Sequence, residues 1–345
     1  MPSSPEPRGA AAGRRATVVG ALLEGWRRIL RAPLLTLGIL VLTFVAALPL
    51  ALVLRGMLDT SLGQSLEAAR AQYNWDPGWL EDFAPTAQGV GTTFTREVVG
   101  FGGTLATLSR LLDAAPLPAP LVGSVCFYVA AWIFLSGGIL DRIARARPVR
   151  TGSFFAASGV FFFRFARLAG PVAATYWVLF RWIHPWLFDV IYGRWTRDLT
   201  NEHTAIVLRS LLYGVFLALL MGTSVVADFA KVRAVVEDRR SMISAIAASI
   251  RFIRRRFWRV IGLYLLNVLL AVILMRFWLQ LAPPGWGVNW PAFLATQLYL
   301  LLRIWAKLAF MASEVVFFQG ELAHAQYTAL PEPAWPDSPA VESIS

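Results

Sequence analysis

Residues 34–54 read LLTLGILVLTFVAALPLALVL, twenty-one residues without a charge. An α-helix needs about 20 apolar residues to cross the hydrocarbon of a bilayer. A cleaved secretory signal has a shorter apolar core, about 7–15 residues. No clear small-x-small cleavage site lies between this run and Arg55. The stretch is therefore read as an uncleaved membrane span, and it sets the reading of the chain on either side of it.

The composition agrees with that reading. Of 345 residues, 57% are hydrophobic and 15% charged, with a mean hydropathy of +0.57. A soluble domain carries about 25% charged residues. Further runs of spanning length lie near Leu121–Leu140, Leu168–Val190, Ala205–Ala227, Phe257–Leu279 and Pro291–Ser313. The fold class expected is an all-α polytopic membrane helix bundle with about six transmembrane helices. Its membrane domain would cover residues 17–325, between disordered tails at 1–16 and 326–345.

The net charge of +11 would point to nucleic acid in a soluble protein. Here the cations are tied to points of membrane entry, which excludes nucleic acid. Residues 1–33 hold six Lys and Arg, residues 141–167 six, and residues 228–259 nine. The opposite side has nine, spread over a longer length of chain. By the positive-inside rule both termini are cytoplasmic, in a bacterial-type inner membrane. One cysteine, Cys126, excludes an internal disulfide and is read as a small buried hydrophobe.

Each odd-numbered span follows a basic, mostly apolar segment. In the first, Val19, Leu22, Leu23, Trp26, Ile29 and Leu30 share a helix face; in the third, Ile243, Ile246, Ile250, Ile253 and Phe257 do. Such spacing describes amphipathic helices lying in the cytoplasmic interface. The segment Ser153–Arg167 is greasier, which makes its lipid-plane reading weaker. Ala156-Ala157-Ser158 followed by Arg164 matches Ala247-Ala248-Ser249 followed by Arg255. The even spans end in Asp141, Asp228 and Glu314, spaced 87 and 86 residues apart. Three helix-pair repeats follow, the first carrying an outer insertion at 56–120 that could dock an envelope protein.

The stretch Asp228-Phe-Ala-Lys-Val-Arg-Ala-Val-Val-Glu-Asp-Arg-Arg-Ser241, with Arg254, Arg255 and Arg256 after it, resembles an inner loop of uncharacterised bacterial six-helix membrane proteins. Those are loosely similar to the membrane domain attached to some glycerophosphodiester phosphodiesterases. The resemblance covers about thirty residues and implies a fold and a location. It implies no activity, because no phosphodiesterase domain is visible.

The last span carries the strongest polar pattern. Thr296, Arg303, Lys307 and Glu314 are seven, four and seven residues apart, within about 40° on a helix. A charge near the middle of a span costs about 2.5–3.5 kcal/mol, so Arg303 is expected to face the bundle or a wet cavity. Asp228, Asp141 and Glu314 are candidate partners, with Asn267 as a further hydrogen-bonding group. Two readings stay open: a polar pocket for a lipid phosphate or small anionic solute, or a structural ion-pair ladder. Arg27, Arg28, Arg254, Arg255 and Arg256 are candidates for lipid headgroups.

No sequence signature of an enzyme is present: no Gly-x-Ser-x-Gly elbow, no phosphate-binding Gly-Lys loop and no His-Glu-x-x-His pair. His184 and His203 have no spacing that fixes a metal. The function expected is non-enzymatic, with no cofactor, no metal and membrane lipids as partners.

Overall fold

The structure is a computed structural model that describes residues 17–63, 77–94, 101–115, 119–146, 148–197, 199–281 and 290–329. The expected tail at 1–16 and part of the outer insertion lie outside these residues, as does the tail expected at 326–345 except for residues 326–329, which are helical. All regular structure among them is helical. Four helices are long and apolar enough to cross a membrane: Pro33–Leu62, Leu121–Arg145, Glu202–Val236 and Phe257–Gln280.

Helix α1 (Val18–Leu30) is short and amphipathic, and the Thr17 hydroxyl caps it by accepting from the Gly20 amide at 3.1 Å. A single turn leads into α2 (Pro33–Leu62), which starts on proline, the residue whose missing N–H costs nothing there. Only Thr36 and Ile39 of α2 are buried. The rest presents a continuous apolar surface, including Leu34, Val41, Phe44 and Val45. An apolar face of that extent has no place in water.

After α2 come α3 (Pro77–Thr86) and a 3₁₀ turn (Gly89–Thr93). Trp79, Leu80 and Phe83 pack there against Leu58, Leu62, Ala87 and Phe94, a small apolar cap at the end of α2. Helix α4 spans Phe101–Leu112 within the outer insertion. It is tied down by His184, whose Nε2 lies 2.8 Å from the Leu112 carbonyl, and by Asp113, which accepts from the Tyr213 hydroxyl.

Helix α5 (Ala119–Arg145) meets α6 (Thr151–Val178) at very short range. A Cβ placed on Gly137 would stand 2.8 Å from the Phe161 Cβ, and one on Gly138 would stand 2.8 Å from the Phe154 carbonyl oxygen. Small residues here let two backbones approach. Gly222, expected to do the same, has open space around it. Cys126 is exposed on α5 among exposed Val122, Val125 and Phe127, contrary to its expected burial.

The segment Ser153–Arg167 is no separate interfacial helix. Helix α6 runs through it, past Pro171, into π-helical turns Leu179–Ile183 and Trp186–Tyr192 and the short α7 (Gly193–Thr196). The helix continues unbroken from Arg167 into Leu168, whereas Arg31-Ala32 and Arg256 interrupt it at the corresponding points before α2 and before residue 257. Helix α8 (Glu202–Val236), α9 (Met242–Arg255), α10 (Phe257–Leu281) and α11 (Trp290–Ala329) complete the order.

The core lies at the end of the bundle where α1, the start of α6 and α9 pack along α11, α5 and α8 respectively. Each of the three carries a buried small residue eight positions after its N-cap. These are Gly25 after Thr17, Ser158 after Arg150 and Ser249 after Ser241. A Cβ on Gly25 would lie 2.7 Å from the Ser313 amide nitrogen of α11. Of the isoleucine stripe of α9, Ile243 (77% exposed) and Ile250 stay outward and Ile246 and Ile253 are half-buried against the core, while Met242, Ala245, Ala248, Ser249 and Phe252 face the protein.

Candidate functional site

Three helices bring ionisable groups together inside the core. Glu314 of α11 is 2% exposed and accepts a hydrogen bond from the Tyr264 hydroxyl of α10. The same hydroxyl lies 3.4 Å from Oδ2 of Asp228 on α8. Oδ1 of Asp228 pairs with the Lys231 ammonium at 2.6 Å, one turn further along α8. One hydroxyl thus stands between two carboxylates, and one ammonium stands against them.

Asn267, one turn from Tyr264, extends the site. Its Nδ2 donates to the Leu263 carbonyl at 2.8 Å and the Ser313 hydroxyl at 3.2 Å. Its Oδ1 is buried without a partner among the described residues. A buried carbonyl oxygen left open is a place for a water or another donor. On the α6 side, Tyr176 and Ser224 share a hydrogen bond of 2.8 Å one turn before Asp228.

Of the residues expected from the sequence, the site unites Asp228, Glu314 and Asn267. Asp141 is buried elsewhere, paired with Arg145 at 2.8 Å. The two cations of the stripe are not inside. Arg303 is exposed, with no ion pair or hydrogen bond among the described residues. Lys307 is exposed too, its ammonium 3.5 Å from the Trp132 ring centroid and 5.8 Å from that of Tyr128 on α5. The physical reason is that α11 is buried mainly from Leu308 to Glu321, and before that its burial is confined to single positions such as Ile304. One angular stripe therefore passes from a packed environment to an open one.

The pairs Tyr264–Glu314 and Trp278–Tyr299 fix an antiparallel register between α10 and α11. Arg303 then stands level with residue 274, about 6 Å from Trp278 at 1.5 Å per residue. Its side chain can reach the end of the span, which explains an exposed cation there without any partner.

Three participants were missed from the sequence. Lys231 sits three residues after Asp228, and Tyr264 three before Asn267, both helical spacings that share a face. Glu321 continues the stripe by another seven residues. It is 2% exposed and holds Arg256, together with Arg259 at 2.5 Å. Burial pushes its carboxyl up, but hydrogen bonds and charge from the two arginines outweigh that and hold it below the ordinary glutamate value. Among the candidate headgroup residues, Arg256 is thereby occupied, and Arg27, Arg254 and Arg255 are exposed. Arg28 is held by Glu24, Gln319 and the Ile143 carbonyl.

Among the described residues no group of three or more His, Cys, Asp or Glu is arranged to hold a metal. No protein-family model, no curated protein and no solved structure matches the chain.

Proposed function

We propose that the chain is a multi-pass inner-membrane protein, without enzymatic activity, whose working part is a proton-binding site inside the bundle. The observation that carries this is the approach of Glu314 and Asp228 to the single Tyr264 hydroxyl, against one ammonium, Lys231. Two carboxylates and one ammonium leave one negative charge without a counter-charge. In a low-dielectric interior that charge is expensive, and one proton on the carboxylate pair removes it. Ionisable groups inside membrane bundles mark proton relays and solute pathways. The partly exposed Asp228–Lys231 pair and the open Oδ1 of Asn267 give the proton a polar route. Gain and loss of that proton would accompany the handling of a lipid or small anionic solute.

The same reading takes six crossings in three units with both termini cytoplasmic. It adds Leu168–Val190 and Pro291–Ser313 to the four helices already long and apolar enough. Its support is the recurrence of one packing unit, a helix laid along the end of the preceding span through a small residue eight positions after its N-cap. In this arrangement α1 belongs to α11, so the chain's first helix closes the ring. The insertion at 56–120 faces the outer side, where its cap of Trp79, Leu80 and Phe83 offers an envelope partner a folded surface.

The test is infrared difference spectroscopy of the full chain in lipid nanodiscs across a pH titration. One buried protonated carboxyl band is expected at neutral pH, absent in Glu314→Gln or in Asp228→Asn. Alongside it, proteoliposomes loaded with a pH-sensitive dye should take up protons in the wild type and lose that uptake in Glu314→Gln. A wild type with no protonated carboxyl from mildly acidic to mildly alkaline pH would sink the reading.

A further inference from the structure

The ends of α1 and α5 and the start of α2 surround a shallow groove of about 40 Å³, lined by Glu24, Arg28, Arg31, Leu35, Arg142 and Ile143 among others. It is distinct from the carboxylate site and shares no residue with it. Arg28 is fixed in its wall by hydrogen bonds to the Ile143 carbonyl at 3.0 Å and to Gln319 at 2.9 Å. Arg31 and Arg142 point no donor at any partner among the described residues. Ten guanidinium N–H donors therefore line one small concavity without an acceptor.

Charge decides what fits. Arg28, Arg31 and Arg142 bring three positive charges and Glu24 one negative. The C-terminal ends of α1 and α5 contribute roughly half a negative charge each. About one positive charge is left over, so the groove suits a singly charged anion. Planar guanidinium groups match phosphate oxygens in pairs. Beside the groove, in line with Leu35 and on the flank next to it, runs an apolar surface of α2, where Leu34 is 81% exposed and Val41 and Leu42 are exposed as well. That surface starts where the cations end, which is the arrangement of a phosphate with acyl chains attached.

We propose that this groove is a binding site for the phosphate diester of an anionic membrane lipid, with Arg31 and Arg142 as its ligands and Arg28 as their fixed support. The lipid's chains lie along Leu34, Val41 and Leu42.

Native mass spectrometry of the detergent-purified full chain titrated with phosphatidylglycerol tests it. One retained lipid per chain is expected, with affinity about fivefold lower for each of Arg31→Gln and Arg142→Gln, from the typical worth of an arginine near an anionic headgroup. Arg240→Gln, an exposed cation outside the groove, should leave the retained lipid in place. A photoactivatable phosphatidylglycerol should label peptides covering 28–35 and 142–146 in the unmodified chain, a readout that needs no variant to fold. Equal loss in Arg240→Gln would mean a generic basic belt and overturn the site. Binding of inorganic phosphate as tightly as the lipid would overturn the lipid assignment, and labelling confined to other segments would overturn the location.

Discussion

Gly25→Ala adds one methyl group at the crossing of α1 and α11, and the geometry sets its price. The new Cβ would stand 2.7 Å from the Ser313 nitrogen, 2.9 Å from its Cα and 3.1 Å from the Ala312 carbonyl carbon. All three are backbone atoms of a helix and cannot swing aside. Relief requires the helices to part by roughly half to one ångström, which forfeits a quarter to a half of each van der Waals contact between them. Ala21, Leu22 and Ile29 of α1 are buried along this seam and would all lose contact. Overpacking of this kind costs about 3 kcal/mol at its upper end. Alanine's helix propensity returns about 1 kcal/mol, for a net destabilisation of about 2 kcal/mol. Gly159→Ala on α6 is the matched control, because nothing lies within 4 Å of its Cβ position. There the propensity gain stands alone, and the protein should become about 1 kcal/mol more stable. Equilibrium unfolding in mixed detergent and SDS micelles, followed through tryptophan fluorescence, reads both. A Gly25→Ala protein as stable as Gly159→Ala would refute the close packing of α1 on α11, and the ring closure with it.

Glu321→Gln should destabilise the protein by about 3 kcal/mol, since it strips Arg256 and Arg259 of a buried counter-charge while both arginines keep some access to solvent. The folded-state value of Glu321 is lowered, so its contribution is present above the ordinary glutamate value near 4.3 and is lost as pH falls through the folded value. Denaturation midpoints measured down through that window should converge for wild type and Glu321→Gln, and parallel curves would refute it. Tyr213→Phe removes the hydroxyl that donates to Asp113 and accepts from Arg209 at 2.9 Å. Trypsin cleavage after Arg110 should then speed up severalfold in intact proteoliposomes; an unchanged rate would mean that α4 is held by other contacts.

The sequence by itself determined the solvent and the local structure. Runs such as 34–54 read as helices long and apolar enough to cross a membrane, because length and apolarity alone decide that capacity. The amphipathic character of residues 18–30 and 242–255 was equally legible, as was the involvement of Asp228, Glu314 and Asn267 in one polar site. Helical periodicity records which residues share a face, as Arg303, Lys307 and Glu314 do. It does not record what that face meets. Arg303 and Lys307 lie on the same stripe as Glu314, yet they are exposed, because continuous burial of α11 begins only at Leu308. Tyr264 and Lys231 joined the site only through the pairing of α8, α10 and α11, and Arg31 met Arg142 only because α1 turns into α2 beside the end of α5. Continuity of α6 through Ser153–Arg167 was likewise a tertiary outcome, since Gly137 and Gly138 let that segment lie against α5 without a break. Neighbours far apart in the chain set the environment of Tyr264, Glu314 and Glu321, and periodicity along one helix carries no record of them.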